Sequence, residues 1–440
     1  MDSGASKVVR HQFVIVPKDM ESDEIILSED GGRMRETETG RPHGWAMVQR
    51  VDDTDPVRAN AQALVELEQG ATGLSLVFEG APNAFGYGLP ATPEALETVL
   101  RDVVLTRTHL RIDVHPASRA MADWMVSLLA RKRADPAKLS LSFGIDPAAI
   151  FAGTGRLRMS IEALQASMPQ SLSHVIAMGV PGILLEADGR VFHNAGATAA
   201  QELAIVLATA QSHMRLFEEA RQALVYAAPH IGFALSVDDT AESAAKVAVL
   251  RDLWDKLQAA RSIEPTRATV HAETSFRIMS TLDPQANVER SARAAANAIA
   301  AEVDSLSILP HTIAVGLPGA ASRQVALVSH LDVAARANAT AAPTEADLGE
   351  LASAAWSEFR IIEAEGGVLQ SLLHGRIQER ILEARHERAE RLRRDGPPAA
   401  TQQTRAGGDV IATEKRSLAP DGAVFCRQLE WWRDEQALSP

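Results

Sequence analysis

The chain has 440 residues and carries 44 Lys and Arg against 57 Asp and Glu, a formal charge of −13 at pH 7. A net acidic chain is a poor non-specific binder of nucleic acid or of an anionic membrane, and no apolar run approaches the ~20 residues needed to cross a bilayer. With 46% hydrophobic and 23% charged residues the composition is that of a folded globular protein, and a single cysteine, Cys426, excludes a disulfide within the chain or a cysteine-built zinc site.

The lone thiol and the polar start, Met1 to Phe13, predict a cytoplasmic protein without a signal peptide. Residues 1–43 read as an irregular lead-in that includes the turn-rich Glu29-Asp30-Gly31-Gly32. From there, short apolar runs alternate with longer amphipathic segments. The runs are Trp45–Val51, Gly73–Phe78, Leu110–Val114, Leu139–Phe143, Ile183–Glu186, Ile231–Ser236, Ala268–His271 and Ser305–Leu309. Helical spacing marks Pro56–Glu68, Pro93–Leu105, Ser118–Arg131, Ala197–Glu219, Ala241–Ala260 and Asn287–Ala301. This alternation predicts an α/β fold, a (β/α)8 TIM barrel over 44–338. Several runs are apolar at nearly every position, as buried parallel strands are. An open doubly wound sheet is the rival, but no Gly-x-Gly-x-x-Gly follows any run.

A helical extension is expected over 339–395. Leu327–Asn338 and Glu345–Glu365 read as helices, Gly366-Gly367 as a break, and Val368–Arg394 as one long helix with a charged, solvated face. Residues 396–440 read as linker and tail. Pro397-Pro398 and Gly407-Gly408 mark the linker, and Val424–Ala437, with Trp431-Trp432, reads as a short docking helix.

In such barrels the polar residues at the C-terminal ends of the strands form the site. Here these are Gln49-Arg50, Glu79, Asp113 with His115, Glu186 with Asp188 and His193, His271 with Glu273, and His311. His115, His271 and Glu273 could build a metal-dependent hydrolase site, yet no His-x-His ends the first strand and no lysine ends the fourth. The plainer reading is that these groups satisfy loop backbone or pair with one another. No Gly-x-Ser-x-Gly is present, so a nucleophilic serine lacks support. Trp45 is expected to pack the barrel bottom. Tyr87, in Phe85-Gly86-Tyr87-Gly88, either anchors a loop or lines a pocket.

Three further stretches carry a resemblance. The first is His271-Ala272-Glu273-Thr274-Ser275-Phe276-Arg277, followed by Asp283-Pro284, Asn287 and Arg290. The second is Ala195-Gly196-Ala197-Thr198 with Gln201-Glu202-Leu203-Ala204, and the third is Gln49 with the run from Gly70 to Phe78. Together, from about Gly44 to Arg394, they resemble the methylmalonyl-CoA mutase family. The resemblance implies a (β/α)8 barrel, joined by a linker to a cobalamin-binding domain, that interconverts methylmalonyl-CoA and succinyl-CoA with adenosylcobalamin.

The departures from the family pattern shape the expectation. Arg50 falls where the catalytic barrels have a substrate-contacting tyrosine. Arg190 and Val191 fall on a Tyr-His pair, and His193 is displaced from it by two. Glu273 replaces the glutamine of His-x-Gln-Thr-Ser and would repel an anionic acyl-CoA. Phe143–Phe151 offers no clear match to the arginine that holds the substrate carboxylate. The sequence has no Asp-x-His-x-x-Gly cobalt-binding loop, and Pro397-Pro398-Ala399-Ala400 replaces the family linker. The resemblance therefore implies a small, or beta, subunit-like component with no catalytic residue of its own. Arg50, Tyr87, His193, His271, Glu273 and Ser275 would line the mouth as substrate-binding positions. No cofactor or metal is expected on this chain, and adenosylcobalamin would be held by a partner. That partner is a catalytic large subunit or a separate cobalamin-binding chain. A homodimer and acyl-CoA binding are open, and neither nucleic acid nor membrane is expected. The alternatives are an active mutase barrel that borrows a cobalamin-binding chain, and the metal-dependent hydrolase.

Overall fold

Eight parallel strands pair in chain order and close on themselves in the computed structural model, which describes residues 44–179, 181–336, 343–395, 408–415 and 421–438. The lead-in over 1–43, Asn338, Pro397-Pro398 and Gly407 lie outside the described residues. The strands are β1 (Ala46–Val51), β2 (Gly73–Leu76), β3 (His109–Ile112), β4 (Ser140–Ile145), β5 (Ile183–Asp188), β6 (Ile231–Val237), β7 (Thr269–Thr274) and β8 (Ser305–Ser307). Closure comes from β1, which pairs with β2 through Val48–Val51 and with β8 through Ala46–Val48. This is the expected TIM barrel.

Strand alternation gives each strand two faces. The outward face is apolar and meets helices. Phe233 of β6 lies edge-on to Trp254 of helix Glu242–Ala260, with ring centroids 5.2 Å apart. Helix Ala199–Glu219 is buried along most of its length, because the extension helix Glu345–Ala364 packs across it. The inward face pairs large with small. Arg50 lies opposite Ser75, Ser75 opposite Arg111, and Arg111 opposite Ser142; Glu273 sits between Ser236 and Ser307. Small neighbours leave the lumen room for arginine and glutamate.

Helix starts follow their capping residues. Asp55, Thr92, Asp146, Ser160, Thr198 and Asp283 each accept a first-turn amide. Several segments differ from expectation. Pro93–Leu105 is helical only to Val99. The long charged helix is two, Val368–Leu373 and Arg376–Asp395, parted at Gly375, whose φ of +76° is the left-handed region that ends helices. The second keeps a solvated charged face and buries Ile377, Ile381 and Ala384. Two helices beyond β4 escaped the periodicity, Pro147–Thr154 and Ile161–Ala177, the latter with Pro169 inside it. Val424–Ala437 is not a docking helix. Val424–Phe425 pairs antiparallel with Arg156–Leu157, the chain then runs extended, and Asp434–Ala437 makes a single 3-10 turn. The amides of Cys426, Leu429 and Trp432 donate to the connections after β4 and β5 rather than to their own segment. Trp45 is half-buried at the start of β1, against the core. Among the described residues no helix is long and apolar enough to cross a membrane.

Candidate functional site at the barrel mouth

The lumen at the strand C-termini is filled with charge. Arg50 Nε lies 2.6 Å from Asp52, its Nη2 donates to the Asn83 carbonyl at 2.5 Å, and its Nη1 is 3.5 Å from Glu273. Arg190 grips Asp113 with both Nη atoms at 2.9 and 3.0 Å. It also reaches Asp188 at 2.6 Å and Glu273 at 3.3 Å. Arg111 holds Glu186 bidentately, and Arg323 reaches Asp52 at 2.5 Å. The Arg50–Glu273, Arg190–Asp113 and Arg111–Glu186 contacts join strands or strand ends that are not neighbours in the barrel, so they run through the lumen. Arg190 is 0% exposed and Glu273 1%.

Such charges persist only as a set, because a buried ion without its partner costs several kcal/mol. Pairing against burial sets the direction in which each carboxyl is shifted. Burial pushes Asp113 up, but Arg190, Arg111 and Arg50 outweigh it and hold the carboxyl at about 2. Asp52 is lowered by Arg323 and Arg50 against the same burial. For Glu273 and Glu186 burial wins over their arginines, and both are raised. Asp146, just past the end of β4, is pushed up to about 8 by burial although it accepts amides from Asp188, Ala148 and Ala149.

A second cluster lies beside the first. His193 Nε2 is 2.8 Å from Ser275 Oγ and its Nδ1 is 3.1 Å from Glu202. Lys246 donates to Glu202 at 2.6 Å and to the Ser236 carbonyl. Burial, then Arg277 and Lys246, drive the His193 pKa well below its ordinary value, so the ring is neutral. Ser275 also accepts the Arg277 amide at 3.2 Å and caps the turn Phe276–Ile278. His193 and Ser275 therefore bind each other. His271 Nδ1 meets Ser305 at 2.8 Å, and burial likewise keeps its imidazole neutral. Tyr87 is buried in the loop after β2, where its phenol bonds the Leu317 backbone. Above the arginines, Phe85 stacks on Phe276 with centroids 3.9 Å apart, and the Arg50 guanidinium lies 5.2 Å from the Phe85 centroid.

Of the six mouth positions expected from sequence, Arg50 and Glu273 meet, His193 and Ser275 meet, and His271 and Tyr87 each bond elsewhere. The second cation on Glu273, Arg190, was not anticipated as its partner. The signal was present: Asp113, Glu186, Asp188 and Glu273 all end strands, and four buried carboxylates demand cations. Among the described residues no group of three or more His, Cys, Asp or Glu could hold a metal. Both ring nitrogens of His115 are engaged, by the Glu79 carbonyl and the Ala117 amide.

Fold and site define a (β/α)8 barrel whose mouth is filled by its own ion pairs. The methylmalonyl-CoA mutase family model matches residues 33–397. The chain belongs to that family. It is 29% identical to the methylmalonyl-CoA mutase small subunit of Streptomyces virginiae over 82% of this chain and 58% of that one. Against the small subunit of Propionibacterium freudenreichii subsp. shermanii the identity is 27%, over 91% of this chain and 62% of the relative. A probable small subunit of Mycobacterium bovis is 30% identical over 73% of this chain and 53% of its own length. The chain thus spans little more than half to three fifths of these relatives.

Proposed function

We propose that this chain is a non-catalytic, small-subunit-type component of a cobalamin-dependent methylmalonyl-CoA mutase, acting in the cytoplasm beside a catalytic large subunit. One observation carries the reading. Three of the positions at which the resemblance departs from catalytic barrels meet in the lumen, where Arg50 and Arg190 both approach Glu273. An acyl thioester would have to displace a mutually neutralised cage, and each displaced ion would be left buried and unpaired. A barrel keeps its fold without its chemistry, so nothing in the architecture opposes the loss.

Adenosylcobalamin, which the family implies, finds no fit among the described mouth residues. His193 and His115 have both ring nitrogens engaged, and His271 is buried beside Ser305. The cofactor on this reading is held by the partner. The names of the relatives, all small subunits, support a large-subunit partner. The test is reconstitution with a catalytic large chain and adenosylcobalamin. The expected result is co-purification, with all turnover abolished when the large chain alone is inactivated. Turnover of an acyl-CoA by this chain with a separate cobalamin-binding chain would overturn the proposal.

A further inference from the structure

We infer that segment 421–438 is a cover for the barrel mouth, a docking partner that the chain supplies to itself on the face a cobalamin-bearing partner would have to approach. The inference deepens the non-catalytic reading and rests on it for its meaning, but its geometry stands alone. The segment crosses the loops that follow four different strands. Ala423, Cys426 and Leu429 donate their amides to Leu157, Gly155 and Ala152 in the connection after β4, at 2.7, 3.0 and 2.8 Å. Trp432 donates to the Asn194 carbonyl after β5 at 2.7 Å. Glu435 accepts from Ser280 Oγ at 2.8 Å and from Thr281 N and Oγ1 at 2.9 and 2.6 Å, after β7. Over the loop after β2, Trp431 sets its ring edge against Phe85 and Phe276, with centroids 6.4 and 5.1 Å away.

Side chains from outside the mouth hold the segment down. Arg388 pairs bidentately with Asp434 at 2.6 and 2.8 Å, and Trp432 is buried against Ala389 with Arg385 over its ring at 5.3 Å. Lys415, from the preceding described stretch, places its ammonium 5.9 Å from the rings of both Tyr87 and Trp431. Charge, aromatic packing and backbone pairing thus agree on one position. A solvated linker would leave its amides to water; here they are spent on the rim. Phe85, against which Trp431 sets its ring edge, lies in turn over the Arg50 guanidinium.

The chain's single thiol reports on this contact. Cys426 lies on the segment, half-buried, with Sγ 3.3 Å from the Phe151 carbonyl, and burial pushes its pKa up to about 12. Its reaction with an aromatic disulfide reagent is followed in the full chain, beside Trp431→Ala and Glu435→Ala, with thermal melts as control. Docking predicts slow labelling in the natural protein. Each variant is expected to label at least tenfold faster with the barrel melt retained. Hydrogen exchange at the Leu429 and Trp432 amides should accelerate in step while β1–β8 stay protected. Labelling of the natural protein at the rate of the denatured chain would overturn the inference, as would unchanged rates in both variants. If a variant loses its melting transition, Glu435→Gln decides by the same criterion. No cobalamin or acyl-CoA enters these measurements. Failure here removes the cover and leaves the non-catalytic reading standing, whereas turnover by this chain does the reverse.

Discussion

Strand β7 serves two regions with opposite chemistry. Val270 and Ala272 face the helices in a largely apolar shell, and His271 and Glu273 face a lumen filled with ions. In the shell, stability comes from area removed from water, and any side chain of the right size and polarity serves. In the lumen, each residue is tolerated only because of its neighbours. The shell therefore preserves the fold while the lumen is free to change as a set, and a change there can end chemistry without ending the barrel.

The sharpest way to break this contrast is to remove one member from each region. Arg190→Ala leaves Asp113, Asp188 and Glu273 short of their shared cation. The expected cost is about 3–5 kcal/mol in chemical denaturation. Trp254→Ala in the shell should cost a similar ~3–5 kcal/mol, by cavity formation against Phe233. The two losses differ in pH dependence. The Arg190 variant should recover stability as acid protonates the orphaned carboxylates, whereas the Trp254 variant should show no such recovery.

A smaller effect separates a cage from a collection of contacts. Glu273→Gln keeps the shape, removes the charge facing Arg50 and Arg190, and should destabilise by about 1–3 kcal/mol without creating activity. In a cycle with Arg50→Tyr the coupling is expected to reach about 0.5–3 kcal/mol. Additive shifts in thermal melts would mean that Arg50 and Glu273 act independently. Acyl-CoA binding gained only by the double variant would identify the pair as the obstruction.

The barrel was legible because its signal is local and repeated: each run announces a strand, and each capping Asp, Ser or Thr announces a helix. That Arg50 and Glu273 both reach the mouth was legible from their places at strand ends. Arg190 was not, because its partners Asp113 and Glu273 lie 77 and 83 residues away in sequence and only closure brings them together. Helix Ile161–Ala177 escaped because Pro169 interrupts its pattern, although Ser160 marks its start. The tail was misread for a related reason. Trp431-Trp432 in Val424–Ala437 suggests a short docking helix, but the amides of Leu429 and Trp432 find acceptors far away in the chain, and tertiary pairing overrides local preference.

The smallest effect concerns a polar group that neither region accommodates. His330, in helix Ala320–Arg336, is fully buried, and neither ring nitrogen has a hydrogen-bond partner. Burial alone depresses its pKa to about 3. Between pH 6.5 and 3 the unfolded chain binds a proton at this ring that the folded chain refuses. The stability associated with the neutral ring is therefore complete above pH 6.5 and is lost as pH falls toward 3. His330→Leu removes both the unsatisfied nitrogens and this proton uptake. At pH 7 it should stabilise the protein by on the order of 1 kcal/mol, and its advantage over the natural chain should widen on acidification. Denaturation midpoints at pH 7 and pH 5 measure both parts. A variant less stable than the natural protein at both pH values would show that His330 is held by an interaction its bare nitrogens do not reveal. A constant gap across the two would mean that the acid sensitivity lies with His115 and His213, whose burial lowers each to about 4.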